Sequence, residues 1–214
     1  MNIFSRFTNR ILHNLLTAVA LASAPWPLSQ ADNWPAWRGL RGDGISQEAE
    51  APMNWSATEN IVWRTEIPGK GRSSPIVFGD RIFVTTGVDE DSSRRVLCID
   101  RADGRILWNT AVHTGPGGTM HRDNTMASST PATDGERIFA VFVDDQGMKV
   151  VALDYSGQIL WSSSPGTYYS SHGFAASPVI YKAGVIVNGH QDGSAFVVML
   201  DRKTGQNSGA TRQP

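Results

Sequence analysis

One pattern decides the fold, VLCIDRADGRILW at positions 96–108. It combines an apolar run that ends in Asp100, a turn that contains Gly104, and a second apolar run that ends in Trp108. The pattern returns as VVALDYSGQILW at 150–161 and, in its first part, as VVMLDRKTGQ at 197–206. Two short apolar runs rich in β-branched residues, joined by an Asp/Gly turn, predict an antiparallel pair of strands.

Two further strands are predicted ahead of each copy of this pattern. Each unit opens with a Ser-Pro or Thr-Pro pair, at Pro75, Pro131 and Pro178, and proline is tolerated at the start of a strand. A second β-branched run follows, as at Arg81-Ile82-Phe83-Val84 and Arg137-Ile138-Phe139. A period of about 50 residues with four strands is typical of a propeller blade. The sequence therefore predicts an all-β fold, a β-propeller of four-stranded antiparallel blades, with about three blades in residues 72–214.

The tryptophan that ends each of the first two patterns is predicted to be structural. Trp108 and Trp161 each follow a turn glycine, Gly104 or Gly157, by four residues. A four-stranded sheet cannot bury both of its faces alone, so a large ring at the end of the fourth strand is expected to pack on the next blade. Cys98 is expected to be a small buried residue and not a reactive thiol.

These motifs resemble the tryptophan-docking repeats of quinoprotein-like, or PQQ-like, β-propellers, and the chain is similar to the N-terminal part of such a protein. The resemblance covers residues 33 to about 205. It also rests on three stretches near the start, which are Asn33-Trp34-Pro35-Ala36-Trp37-Arg38-Gly39, Trp63-Arg64 and Ile67-Pro68-Gly69-Lys70-Gly71. The family includes quinone-dependent dehydrogenases and the outer-membrane assembly lipoprotein that scaffolds β-barrel insertion. For the dehydrogenases the resemblance implies pyrroloquinoline quinone (PQQ) and a calcium ion held by carboxylate and Asn ligands.

Three blades are fewer than the four to eight that close a propeller, so the sequence predicts an incomplete propeller. Residues 32–71 are expected to form an N-terminal extension, in which Asn60-Ile61-Val62-Trp63 resembles the fourth strand of a blade. In the third repeat Gly209 occupies the position expected for tryptophan, and residues 207–210 are predicted to be a loop. A truncated copy of a longer protein, with sheet edges free to associate, is the simplest interpretation.

Residues 1–31 have the features of a secretory signal peptide. Arg6 and Arg10 precede a mostly apolar stretch, and Ser29-Gln30-Ala31 has the small-x-small form of a cleavage site. A rival site after Ala24 is followed by Pro25, which is unfavourable for cleavage. An uncleaved membrane anchor is the alternative, but the apolar run is short for a bilayer span. The mature protein is therefore expected in the periplasm or outside the cell, without a membrane span.

Composition and residue spacing argue against several classes of function. The formal net charge of −1 gives no basic footprint for nucleic acid, and the single cysteine allows no disulfide within the chain. No histidine spacing typical of a metal site occurs, so no metal ligand is predicted. Asp89-Glu90-Asp91 and Asp144-Asp145 are expected to solvate hairpins.

The strand order places one set of loops on a common face, where a site is predicted. In an antiparallel blade, the loops between the second and third strands share one end with the connections between blades. That end carries four histidines, with His113 and His121 in the first connection, His172 in the second, and His190 in a hairpin of the third repeat. The residues expected nearest the axis precede the first strand of each blade, and they are Arg72, Asn124, Ser128 and His172. Of these, Arg72, Asn124 and His172 are candidates for binding an anionic cofactor, with His121 as a further ligand.

Two functions follow as hypotheses, and no catalytic residue is identified for either. The first is an exported propeller that binds or scaffolds a protein or peptide partner without catalysis, through loops or strand edges. The second is a PQQ-dependent oxidoreductase of alcohols or sugars, or a truncated remnant of one. Calcium-dependent binding of PQQ would distinguish the second from the first.

Overall fold

A computed structural model describes residues 32–48 and 52–212, and every strand lies in the compact unit 33–214. The predicted signal peptide, residues 1–31, lies outside the described residues. Within the described ranges the chain forms strands and loops but no helix, and so no helix that could cross a membrane. The predicted all-β class is confirmed.

In the described part of the chain, twelve strands form three separate four-stranded antiparallel sheets, each in sequence order. Blade 1 contains β1 (Ile76–Phe78), β2 (Arg81–Val88), β3 (Ser93–Asp100) and β4 (Ile106–Thr114). Blade 2 contains β5 (Ala132–Thr133), β6 (Arg137–Asp144), β7 (Gly147–Asp154) and β8 (Ile159–Ser163). Blade 3 contains β9 (Val179–Tyr181), β10 (Gly184–Gly189), β11 (Phe196–Asp201) and β12 (Asn207–Arg212). The predicted arrangement of three blades is confirmed.

Apolar side chains fill the two spaces between neighbouring blades. Blade 2 lies between the other two, and its strands β6 and β7 are covered on both faces, so their side chains alternate between the two cores. Ile138, Ala140 and Phe142 pack towards blade 1, whereas Phe139 and Val141 pack towards blade 3. This explains why β6 is almost entirely apolar instead of alternating with polar residues.

The indole of Trp108 joins blade 1 to blade 2. This contact, between a tryptophan and the turn glycine of the following blade, is named the tryptophan lock. Trp108 pairs with Cys98 across β3 and β4, and its Nε1–H donates to the carbonyl oxygen of Tyr155 at 3.0 Å. Thr110, two residues later, donates its hydroxyl to the carbonyl oxygen of Gly157 at 2.9 Å. A Cβ atom at Gly157 would lie 2.7 Å from Cδ2 of Trp108, and its φ of +85° also favours glycine. The indole thus fits directly against bare backbone in the next blade.

The same lock recurs on both sides of this one. Trp161 pairs with Ala152 and donates to the carbonyl oxygen of Arg202 at 3.1 Å, with its ring against Gly205. Trp63 donates to the carbonyl oxygen of Arg101 at 2.9 Å, with its ring against Gly104. In each case the glycine belongs to the blade that follows the tryptophan, so the locks run in one direction along the chain.

Residues 60–63 do not form a strand, although Trp63 makes the contacts of one. Ile61 and Val62 are exposed, the latter at 90%. A fourth strand needs a third strand beside it, and none of the described residues offers one here. Residues 60–63 therefore resemble a fourth strand in the position of the Trp63 indole, but they do not pair with another strand.

Residues 33–35 add a short segment at the inner edges of the first two blades. Trp34 and Val77 exchange two backbone hydrogen bonds of 2.7 and 2.9 Å. The next carbonyl oxygen, that of Pro35, accepts from the backbone N–H of Thr133 at 2.8 Å. This part of the N-terminal extension therefore bridges β1 and β5.

The end of the third repeat corrects the sequence-based expectation. Residues 207–210 were predicted to be a loop, but they form most of β12 and pair with β11, with a register shift between Met199 and Leu200. The outer edge of β11 would otherwise leave backbone groups unpaired, and this requirement outweighs the weak strand propensity of Asn-Ser-Gly-Ala. Gly209 does occupy the tryptophan position, opposite Met199.

Blade 3 leaves one face uncovered by the described residues. Val179, Tyr181 and Val197 lie on that face and are each about half exposed, at 56%, 54% and 45%. The opposite face packs on blade 2 through Val185 and Val198.

We expect Gly157→Ala to lower the free energy of unfolding by about 2 kcal/mol or more, because the methyl group must displace the Trp108 ring and strain the backbone. Gly209→Ala is the matched control. A Cβ atom there meets no atom within 4 Å, so a change below about 0.5 kcal/mol is expected. Urea denaturation of both variants measures the difference. Equal effects would contradict a stabilising role for the contact between Trp108 and Gly157.

The thiol of Cys98 is expected to be inert in the folded protein. Its side chain is fully buried, and this burial raises the pKa of the Cys98 thiol to about 12. Because the thiolate is the reactive form, a disulfide reagent at pH 8 should modify Cys98 only in denaturant. Equal labelling rates with and without denaturant would show that the core between blades 1 and 2 opens readily.

Candidate functional site

Long connections and hairpins gather at one end of the three sheets. The hairpins between β2 and β3 and between β6 and β7 lie there, together with the connections 115–131 and 164–178. His121 and His172 lie in the two connections, and His190 lies in the loop between β10 and β11. This end is called the loop face below.

A cleft of about 890 Å³ opens on the loop face of blade 1. One wall is the segment 67–73 with the end of β2, and the other is the connection through residues 117–126. Met120 and Met126 contribute apolar surface, whereas Arg72 and Arg122 contribute positive charge. At the rim, Lys70 Nζ lies 2.9 Å from an oxygen of Asp89 in an exposed ion pair.

Close backbone packing shapes the first wall of this cleft. Lys70 and Gly87 exchange two backbone hydrogen bonds of 2.8 Å each, which places the segment 67–73 directly beside β2. A Cβ atom at Gly71 would lie 2.6 Å from the carbonyl oxygen of Thr85, so only glycine permits this approach. The wall is therefore polypeptide backbone packed directly against β2.

A smaller pocket of about 350 Å³ adjoins the cleft and brings together the predicted axial residues. Arg72, Asn124 and Ser128 line it, and so do both histidines of the connections, His121 and His172. Arg72 and Asn124 also line the cleft, so the two spaces are neighbours. Asp123 is the single carboxylate among the residues that line the pocket.

Asn124 joins the two connections that form this pocket. Its Nδ2 donates to the carbonyl oxygen of His172 at 2.7 Å, and its Oδ1 accepts the hydroxyl proton of Ser128. The imidazole rings of His121 and His172 are nearly parallel, at 23°, with centroids 6.2 Å apart. The pocket is thus built from the segment before β1 and the two connections between blades, and not from a single loop.

His113 does not share this pocket. It lies within β4 instead of the connection, which corrects the predicted position, and its Nε2 contacts the carboxylate of Asp144. The side chain of Asp144 is only 1% exposed, so the expectation that Asp144 solvates a hairpin is also wrong. Asp145, the next residue, is exposed as expected.

A buried arginine completes the group around Asp144. Arg94 is fully buried, and its guanidinium donates to the carbonyl oxygens of Ser92, Gly115 and Pro116, the last at 2.9 Å. Burial lowers the pKa of Arg94, whereas the negative charge of Asp144 opposes that shift. Arg94, His113 and Asp144 together fasten the start of the connection 115–131 to blade 2. They therefore position the loop face instead of lining its pocket.

His190 remains apart from the pocket, exposed in its loop, where its backbone N–H donates to Oδ1 of Asn188 at 2.9 Å. No group of three or more His, Cys, Asp or Glu side chains within residues 32–48 and 52–212 is close enough to hold a metal ion. Sequence reasoning missed Thr65 and Thr110, which both donate to turn carbonyls. The spacing Trp-x-Thr, which occurs at both places, is a signal that could have found them.

Comparison with known proteins places these features in a family. A family model described as outer membrane protein assembly factor BamB matches residues 54–212. Polyvinylalcohol dehydrogenase of Sphingopyxis sp. (strain 113P3) is 27% identical over 152 residues, which are 69% of this chain and 22% of that protein. This chain therefore spans about a fifth of the length of that curated relative.

Solved structures show the same fold at low sequence identity. Quinohemoprotein alcohol dehydrogenase from Comamonas testosteroni superposes with a TM-score of 0.61 and 16% identity, over 84% of this chain and 27% of that one. The quinohemoprotein alcohol dehydrogenase ADHIIG from Pseudomonas putida HK5 has a TM-score of 0.51 and 16% identity, over 72% and 22%. At these identities the likeness supports the propeller fold and not a shared activity.

We expect Asp144→Asn to lower the free energy of unfolding by about 3 kcal/mol, since it removes a buried carboxylate that contacts His113 and is the stronger of two negative charges acting on the buried Arg94. Asp145→Asn, which changes an exposed neighbour, should cost less than about 0.5 kcal/mol. Chemical denaturation of both variants at pH 7 makes the comparison. Similar losses for the two would show that Asp144 is not the stabilising partner of Arg94.

Proposed function

This chain belongs to the family of PQQ-like repeat β-propellers whose model is described as outer membrane protein assembly factor BamB, and we propose that it is an exported, non-catalytic binding module. In this proposal it acts outside the cytoplasm and holds extended segments of a protein partner on its loop face. The observation that carries the proposal is the open cleft of about 890 Å³ between the segment 67–73 and the connection 115–131.

The lining of the cleft suits a polypeptide. Ser73 and Thr125 line it with small polar side chains that hydrogen-bond without strong selectivity. Met120 and Met126 supply adaptable apolar contacts, which favour binding of varied sequences. Functional loops are commonly mounted on a rigid scaffold in this way.

The alternative, a quinone-dependent oxidoreductase, has partial support from the residues present. Arg72, Asn124 and His172 gather in one pocket, and their donors suit the carboxylates of PQQ. Calcium takes six to eight oxygen ligands, most of them carboxylates and carbonyls. The pocket has only Asp123 as a carboxylate, so the described residues do not fit the calcium ion of such a site. We therefore favour binding over oxidation.

The localisation in this proposal rests on the leader and the family. Arg6 and the apolar stretch that follows support export, and Ser29-Gln30-Ala31 supports cleavage. N-terminal sequencing of the secreted protein would test this, with Asp32 expected as the first residue.

We expect the purified protein to bind a subset of an extended-peptide library with a Kd of about 1–100 μM, as measured by fluorescence anisotropy. Met120→Ala should weaken that binding about fivefold, because it removes apolar surface from the cleft. Leu160→Ala removes a comparable side chain that is exposed on β8, and it should leave binding unchanged.

Two results would overturn the proposal. One is the absence of any peptide binding by well-folded protein. The other is saturable, calcium-dependent binding of PQQ that raises the melting temperature, which would support the oxidoreductase instead.

A further inference from the structure

We infer that the small pocket beside the cleft is a carboxylate subsite, so that the partner segment carries an acidic side chain. This inference rests on the proposed function and specifies the chemistry of its ligand. The observation behind it is the meeting of Arg72, His121 and His172 around one space of about 350 Å³.

The position of the pocket links it to a ligand in the cleft. Arg72 and Asn124 line both spaces, so a chain that lies in the cleft passes the mouth of the pocket. A side chain that leaves the cleft at this point enters the pocket directly. Backbone contacts would then give affinity, and the pocket would select one kind of side chain.

Arg72 is the main recognition group. Its backbone is fixed, because its N–H donates to the carbonyl oxygen of Ala127 at 3.0 Å. Its guanidinium has no hydrogen bond or ion pair with any residue in 32–48 or 52–212. A guanidinium binds a carboxylate through two parallel hydrogen bonds, so a free one at a pocket favours this ligand.

The two imidazoles offer further donors. Nδ1 of His121 accepts from the backbone N–H of Asp123 at 3.2 Å, which leaves the proton of the neutral ring on Nε2. Nδ1 of His172 lies 3.2 Å from Oγ of Ser171. In both rings the local contact uses Nδ1, and Nε2 remains for a ligand.

Asp123 is the one charge that opposes an anion here. Its Oδ2 lies 3.4 Å from Nδ1 of His121, at the edge of the pocket. The carboxylate is also largely exposed, at 71%, and solvent screens it. Arg72 therefore sets the preference of the pocket for an anionic group.

The test uses two peptide pools that differ only in a fixed Glu or Gln. We expect the purified full chain to bind the Glu pool about tenfold more tightly, as expected for a charge-assisted hydrogen-bonded pair. Arg72→Gln should remove this preference, and Arg72→Lys should keep part of it because the charge remains while the paired geometry is lost. Arg105→Gln, which removes an exposed charge from the turn between β3 and β4, at the opposite end of the sheet from the loop face, should leave the preference intact.

Failure of this inference differs from failure of the proposed function. Equal binding of both pools would overturn the carboxylate subsite and leave peptide binding intact. If neither pool binds, the proposed function fails, and titration with glutarate tests the pocket alone. The NMR signals of the His121 and His172 ring protons should shift saturably with glutarate in the wild type but not in Arg72→Gln. Absence of that shift would overturn the subsite.

Discussion

A sheet of four strands has two faces to cover, and here each interface between blades depends on one indole held against bare backbone. The indole N–H donates to the carbonyl that follows the strand-ending Asp, and the ring lies on the turn glycine of the next blade. The contact requires a tryptophan in one blade and a glycine in the next, so it fixes the distance between neighbouring blades and the order in which they pack. The apolar cores between the blades form around these fixed points.

The blades determine the geometry of the loop face. The buried group of Arg94, His113 and Asp144 anchors the start of the connection 115–131, and Asn124 then joins that connection to the next one. Polar groups with many fixed partners hold loops in one conformation, as a binding surface needs. These hydrogen bonds therefore hold the walls of the cleft and of the pocket in place.

The sequence predicted the blades well because their signals are local. An apolar run, an Asp/Gly turn and a tryptophan lie within 13 residues, as in positions 96–108, and they recur. The strand at 207–212 was missed because its partner, and not its composition, makes it a strand. The grouping of Arg72, Asn124 and His172 followed from strand order. The contact between His113 and Asp144 joins different blades, and no local sequence pattern predicts such a contact.

Each lock has two halves, and blades 1 and 2 carry both of them: a tryptophan that projects forward and a turn that receives the tryptophan from behind. A duplicated copy of such a unit would fit between its neighbours without new contacts having to evolve. Propellers built this way can change their number of blades by copying a single stretch of gene. Blade 3 has the receiving turn, but Gly209 replaces the projecting tryptophan, so a unit copied from it would interrupt the series.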